Sequence, residues 1–314
     1  MTTTPERLRT TVTIGGDLTV NRLGYGAMHL TGPGMWGPYP DPDHAVALLR
    51  QAVDLGVQFI DTADSYGPGD NERIIRQALH PYPDHLAICT KGGLLRRGPA
   101  DWTDQDHIYI TPLGRPAYLR QQVELSLRNL GTDRIDLYQL HSIDPAVPLA
   151  EQLGVLTELQ GEGKIRHIGI SGQPEITVDQ LDHAQLRAEI TAVENLYNVA
   201  DRTSDPVIDR TGRYGQVFIP WFPLGHGTLT GPDSPLYALA AEYGATAPQL
   251  ALSWLLHRAP HTLLIPGTTS PTHLTENMKA ADLTLNRADL DHITTTLDNA
   301  GPTPWRPQPA GARA

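Results

Sequence analysis

From residue 23 onward, short apolar and β-branched runs alternate with longer stretches whose apolar positions recur every three to four residues. The runs at residues 23–25, 58–60, 86–90, 135–140, 165–170, 190–193, 217–219 and 262–265 predict eight strands. Stretches such as 44–55, 71–79, 116–130, 149–160 and 235–243 predict helices between them. Eight strands separated by helices predict an α/β fold of the closed, parallel (β/α)8 TIM-barrel type rather than an open sheet. Ahead of the barrel, residues 11–14 and 18–20 joined through Gly15-Gly16-Asp17 read as a β-hairpin, placed to plug the barrel floor. Two extra helices follow the eighth strand, near 272–280 and 287–297. The tail from Gly301 carries four prolines and is expected to be loose or to wrap the surface. No Pro/Gly/Ser-rich linker divides the chain, so residues 1–314 are expected to form a single domain.

Charge narrows the partners. The 24 basic and 35 acidic residues give a net charge of −11, which repels nucleic acid and anionic membranes. A phosphate-bearing cofactor remains compatible, because a helix N-terminus can hold an anion on an acidic protein. The single cysteine, Cys89, excludes an internal disulfide and, set in Leu86-Ala87-Ile88-Cys89, reads as a small buried hydrophobe. Residues 1–10 contain two arginines and no apolar segment, unlike a signal peptide, and no run of eighteen apolar residues occurs. The expected location is the cytoplasm.

In a (β/α)8 barrel the chemistry sits at the C-terminal ends of the strands. Here the second strand runs out through Asp61-Thr62-Ala63-Asp64-Ser65-Tyr66, the third ends at Lys91 and the fourth at His141. An acid, a phenol, an ammonium and an imidazole therefore converge on one barrel mouth. A free phenol titrates near ~10, and bringing it near neutrality takes about three pK units, or roughly 4 kcal/mol. An ammonium at ~4 Å supplies about that much at an effective dielectric of ~20. Lys91 is placed to do so, with Asp61 fixing Lys91 and His141 orienting a substrate oxygen or sharing its proton. Tyr66 is then the general acid for reduction and the general base for oxidation.

The runs Phe59-Ile60-Asp61-Thr62-Ala63-Asp64-Ser65-Tyr66-Gly67, Thr90-Lys91, Asp136 to His141, Gly163 to Ser171, and Ile265-Pro266-Gly267-Thr268-Thr269-Ser270 through Glu276-Asn277 closely resemble aldo-keto reductases. The resemblance extends from about Leu18 to Leu297, and in style it is nearest to the bacterial, pyridoxal-reductase-like branch. It implies a hydride-transferring oxidoreductase that reduces an aldehyde or ketone to an alcohol, or runs in reverse, with NADP(H) and possible use of NAD(H). Asp61, Tyr66, Lys91 and His141 would be catalytic. Gly26, Ala27 and Met28 would line the nicotinamide end beside Asp61, with Ser171 and Glu194 near the carboxamide and Trp221 stacked on the ring. The loop Leu224-Gly225-His226-Gly227 would cross the pyrophosphate. Gly267, Thr268, Thr269, His273, Glu276 and Asn277 would hold the adenosine end.

Four positions depart from the family pattern. Gly172 stands where asparagine is frequent, Glu194 where glutamine is usual, and Gly267 and His273 where lysine and arginine often meet a 2′-phosphate. A moderate preference for NADPH over NADH follows. The long connection from Gly92 to Arg115, with Arg96, Arg97, Trp102, His107 and Tyr109, reads as a lid that joins Trp36 and Tyr39 in walling a pocket for a flat or apolar carbonyl. No metal is expected, because Pro260 separates His257 from His261 on any helix. Nor is Gly24-Tyr25-Gly26 a dinucleotide fingerprint. Two rival readings stay open: a lyase forming a Schiff base on Lys91, and a cofactor-binding sensor with little turnover. An isomerase or dehydratase that borrows the cofactor is a further alternative.

Overall fold

The computed structural model describes residues 8–101 and 109–300. The tail from Gly301, and the lid residues Trp102 and His107, lie outside the described residues. The hairpin forms as expected, β1 (Thr11–Ile14) pairing antiparallel with β2 (Leu18–Asn21). Seven strands then make one parallel sheet. In chain order these are β3 (Tyr25–Gly26), β4 (Phe59–Asp61), β5 (Ala87–Gly92), β8 (Ile135–Leu140), β9 (Ile165–Ser171), β10 (Ile190–Leu196) and β11 (Val217–Trp221), each beside its predecessor.

Residues 262–265 close the ring. Leu264 bridges Leu23 on one edge, and Thr262 bridges Phe218 on the other. The amide of Gly24 donates to Leu264 O at 2.8 Å, and that of Leu263 to Phe218 O at 2.9 Å. Arg22 rivets this seam: its buried guanidinium donates to the carbonyls of Leu256, Ala259 and Thr262 at 2.6–2.8 Å. Around the barrel run α1 (Pro42–Asp54), α2 (Asp70–Leu79), α3 (Pro116–Leu130), α4 (Leu149–Gly161), α5 (Val178–Gln185), α6 (Asp205–Tyr214), α7 (Pro235–Ala240) and α8 (Ala247–Arg258). The extra helices α9 (Pro271–Met278) and α10 (Arg287–Asn299) follow the seam.

Strand periodicity of two sorts the side chains. Ile60, Ile88, Tyr138, Ile168, Val193 and Phe218 face the helices, in the larger core. The alternate residues Phe59, Ala87, Cys89, Leu137, Ala192, Val217 and Ile219 form a second core inside the barrel, joined by Ile14 and Val20 of the hairpin. The hairpin thus plugs the floor, and Asp17 clips it to β9 through His167 at 2.6 Å and Arg166 at 3.1 Å. Following four of the inward rows upward, apolar gives way to polar: Phe59 to Asp61, Cys89 to Lys91, Leu137 to Gln139 and His141, Ala192 to Glu194. The strand register sets Asp61 beside Cys89, Lys91 beside Gln139, and Ser171 beside Glu194.

The connection after β5 differs from a plain loop. It contains an antiparallel pair, β6 (Leu94–Arg96) with β7 (Ile110–Pro112), standing over the mouth. Arg96 lies 5.7 Å from the Trp36 ring and 5.2 Å from the Tyr109 ring, and donates to Gly34 O at 2.8 Å, so lid and first loop hold each other.

Candidate active site

Lys91 stands at the centre of the barrel mouth with no exposed surface. Its Nζ donates to Asp61 Oδ2 at 2.5 Å and to the Thr62 carbonyl at 3.1 Å, and lies 3.4 Å from Glu194 Oε2. Tyr66 is delivered by the turn after β4, its ring centroid 5.5 Å from Lys91 Nζ and 5.9 Å from the His141 ring, edge to face. His141 Nδ1 faces Ser65 Oγ at 3.4 Å. The structure thus brings Asp61, Tyr66, Lys91 and His141 together.

The electrostatics differ from the simple expectation for Tyr66. Burial pushes its phenol above the ordinary value; Lys91 opposes this, but Asp61 and Glu194 add to the rise. One ammonium acting on one phenol would lower its pKa. In the folded chain two carboxylates claim that ammonium first. Burial drives the Lys91 pKa down, yet Asp61 and Glu194 more than offset it, and the ammonium is held well above its usual value. His141 is driven well below the ordinary imidazole range by burial, then by Lys91 and Arg96, so it is neutral and able to donate one N–H.

From this centre a groove of about 1020 Å³ runs outward, at the upper end of the ~300–1,000 Å³ typical of small-molecule sites. Gly26, Met28, Asp61, Tyr66, Glu194, Trp221, Leu224 and Gly227 line it, together with Gly267, which abuts Gly26, and with Thr268, Thr269, His273, Glu276 and Asn277 from α9 and the turn before it. Three residues expected there are absent from its wall. Ala27 is buried and its amide donates to Asp61 O at 2.9 Å, fixing the end of β4. Ser171 is buried in register with Glu194. Gly225, at φ 57, packs against Leu229. The sequence reading missed the facing wall of Tyr237, Ala245, Thr246 and Pro248, and His29 beside Gly267. Among the described residues, no group of three or more His, Cys, Asp or Glu is placed to hold a metal. No helix of the described residues is long and apolar enough to cross a membrane.

A family model for the aldo/keto reductase family matches residues 22–298. The chain belongs to that family. Among similar aldo/keto reductases and related enzymes, pyridoxine 4-dehydrogenase of Escherichia coli is 44% identical over 289 residues, covering 90% of this chain and 96% of that protein. An uncharacterised oxidoreductase of Schizosaccharomyces pombe is 44% identical over 286 residues, covering 91% of this chain and 88% of the other. Glycerol dehydrogenase of Gluconobacter oxydans has a similar structure, with TM-score 0.83 and 26% identity over 95% of this chain and 98% of that one. An aldo-keto reductase of Klebsiella pneumoniae in complex with NADPH superposes with TM-score 0.76 at 26% identity, over 95% of this chain and 97% of that one.

Proposed function

We propose that this aldo/keto reductase interconverts an aldehyde or ketone with its alcohol, using NADP(H), and that Tyr66, His141, Lys91 and Asp61 carry the proton chemistry. The observation that carries this reading is the buried Lys91–Asp61 pair at 2.5 Å beneath Tyr66 and His141, at the inner end of the groove. Support for the cofactor comes from the groove itself. Trp221 offers an aromatic face near the catalytic end, and Asp61 Oδ1 is buried there without a partner among the described residues. Along the same groove, the hydroxyls of Thr268 and Thr269 and the start of α9 offer donors to an anion. When bound, the nicotinamide supplies or accepts the hydride.

The chain's residues do the rest. His141, held neutral, donates to the substrate oxygen and fixes its position. Tyr66 keeps its proton until negative charge develops on that oxygen, then passes it across. Lys91 provides positive charge under the phenol at that moment, and Asp61 keeps Lys91 in place. A Schiff-base lyase is disfavoured, because it needs Lys91 as a free amine while two carboxylates hold it as an ammonium.

The test is a panel of aldehydes and ketones assayed with NADPH and NADH, together with Tyr66→Phe. The variant should lose at least ~10²-fold in kcat, the lower end of what a general acid contributes, while NADPH affinity stays within twofold. Retention of more than a tenth of the activity would remove Tyr66 from the role. A wild type that binds NADPH but turns over no carbonyl would favour the sensor.

A further inference from the structure

Glu194 is a second carboxylate on Lys91, and the catalytic roles above do not use it. It sits 3.4 Å from Nζ while Asp61 holds the same ammonium at 2.5 Å, so two carboxylates share one cation. The arrangement is built rather than incidental. Gln139 Nε2 donates to Glu194 Oε2 at 2.5 Å, and Gly169 makes room for it: a Cβ there would stand 3.0 Å from Gln139 Cγ. Gln139 Oε1 is buried with no partner among the described residues. The same amide, turned over, could accept from a protonated Glu194 as readily as it now donates to an ionised one. Gln139 therefore accommodates both states.

Resting on the reading that the groove takes a nicotinamide at its inner end, we propose that Glu194 makes the enzyme's relative affinity for oxidised and reduced cofactor depend on its own ionisation. Ionised, Glu194 leaves the buried cluster of Asp61, Lys91 and Glu194 with a net charge of −1, facing the groove, which favours the cationic nicotinamide of the oxidised cofactor. Protonated, it leaves the cluster neutral, and that bias disappears. The charged and titratable groups around it are Asp61 and Tyr66 from β4 and its turn, Cys89 and Lys91 from β5, and His141 from the end of β8; Gln139, Ser171 and Trp221 do not titrate near neutrality. Burial first, then the charge of Asp61, pushes the Glu194 carboxyl up to about 8, against the opposing pull of Lys91. The switch thus falls in a range where both states are reachable.

Linkage gives the size and the test. A tenfold bias, ~1.4 kcal/mol, is within what two charges sustain at ~10 Å and an effective dielectric of ~20. By reciprocity the oxidised cofactor must then lower the Glu194 pKa by about one unit and expel protons as it binds below pH ~8. NADP+ and NADPH are titrated into the intact protein between pH 6 and 9.5, following tryptophan fluorescence. Proton release is measured by calorimetry in two buffers of different ionisation enthalpy.

The ratio Kd(NADPH)/Kd(NADP+) should rise about tenfold with pH in wild type and be flat in Glu194→Gln. Titration of the shared 2′-phosphate cancels in that ratio. If both cofactors bind with a pH-independent ratio and the same proton release, the inference fails and the assignment of the groove stands. A pH dependence that persists in Glu194→Gln assigns it to another group and also overturns the inference. If neither cofactor binds, the assignment of the groove itself falls. Should Glu194→Gln not fold, the difference between the NADP+ and NADPH proton counts on the unmodified protein decides, because the 2′-phosphate cancels in it too, and equal counts overturn the inference.

Discussion

Replacing Lys91 by methionine tests the centre of the site through stability as well as activity. Methionine keeps the length and apolar stem of the side chain but deletes the ammonium that meets Asp61 at 2.5 Å, the Thr62 carbonyl at 3.1 Å and Glu194 at 3.4 Å. Breaking a buried pair by removing one partner costs ~3–5 kcal/mol, because the other charge stays buried. At about 2–4 °C per kcal/mol for a larger domain, the melting temperature should fall by roughly 6–20 °C at pH 8. Asp61 and Glu194 can escape the penalty by taking up protons. Burial raises both carboxyls while Lys91 opposes the rise, so deleting the ammonium lifts them further and makes protonation in the folded state easier. Stability tied to such groups is present at low pH and is lost as pH rises through their folded values. The deficit should therefore shrink on going from pH 8 to pH 5.5, and adding Glu194→Gln to Lys91→Met should recover part of it at pH 8. Thermal melts of the four proteins (wild type, each single variant and the double) at both pH values decide the matter. An equal deficit at both pH values, untouched by the second substitution, would refute the idea that Lys91 balances two buried carboxylates.

Asp64 carries both carboxylate oxygens buried and, among the described residues, unpartnered, and burial followed by the Glu72 charge holds its pKa well above the usual range. Its stabilising protonated form is lost as pH rises from the ordinary carboxylate range, ~4, through the raised folded value, so Asp64→Asn should flatten the decline in melting temperature above pH ~4; an unchanged slope would count against it. His273 is exposed on the first turn of α9 and lines the groove. His273→Arg should raise the NADPH-to-NADH ratio of kcat/KM by about tenfold or more, since a hydrogen bond to a charged group is worth ~1.5–3 kcal/mol. No gain would place the 2′-phosphate elsewhere.

The barrel is legible because its signal is local and repeated: short apolar runs recur between amphipathic stretches, and several inward rows end in a polar residue at a strand terminus. Asp61, Lys91 and His141 are legible that way, whereas Glu194 is reached only through the family resemblance. What escaped lacked such a signal. Helix α8 buries eight of its twelve residues, so it shows no polar face from which a helical period could be read. Strands β6 and β7 have three residues each, too short to alternate visibly. The facing wall of the groove comes from segments around Tyr237 and Thr246, which become neighbours of Trp221 only after folding. Gln139 reads in sequence as one polar residue inside Leu137-Tyr138-Gln139-Leu140; its bond to Glu194 spans 55 residues. The Tyr66 correction has the same origin, because no local pattern reveals how many carboxylates surround one lysine.

The seam held by Arg22 has a consequence for how the chain is made. Arg22 precedes Thr262 by 240 residues, and three of its buried acceptors are carbonyls of Leu256, Ala259 and Thr262. Until that distant segment has been synthesised, the guanidinium has none of those partners and β3 has an open edge. At ~5–20 residues per second the interval is about 12–48 s. During that time the nascent chain carries an unclosed parallel sheet, the slow and aggregation-exposed class of intermediate. The last strand to leave the ribosome is the one that ends this exposure.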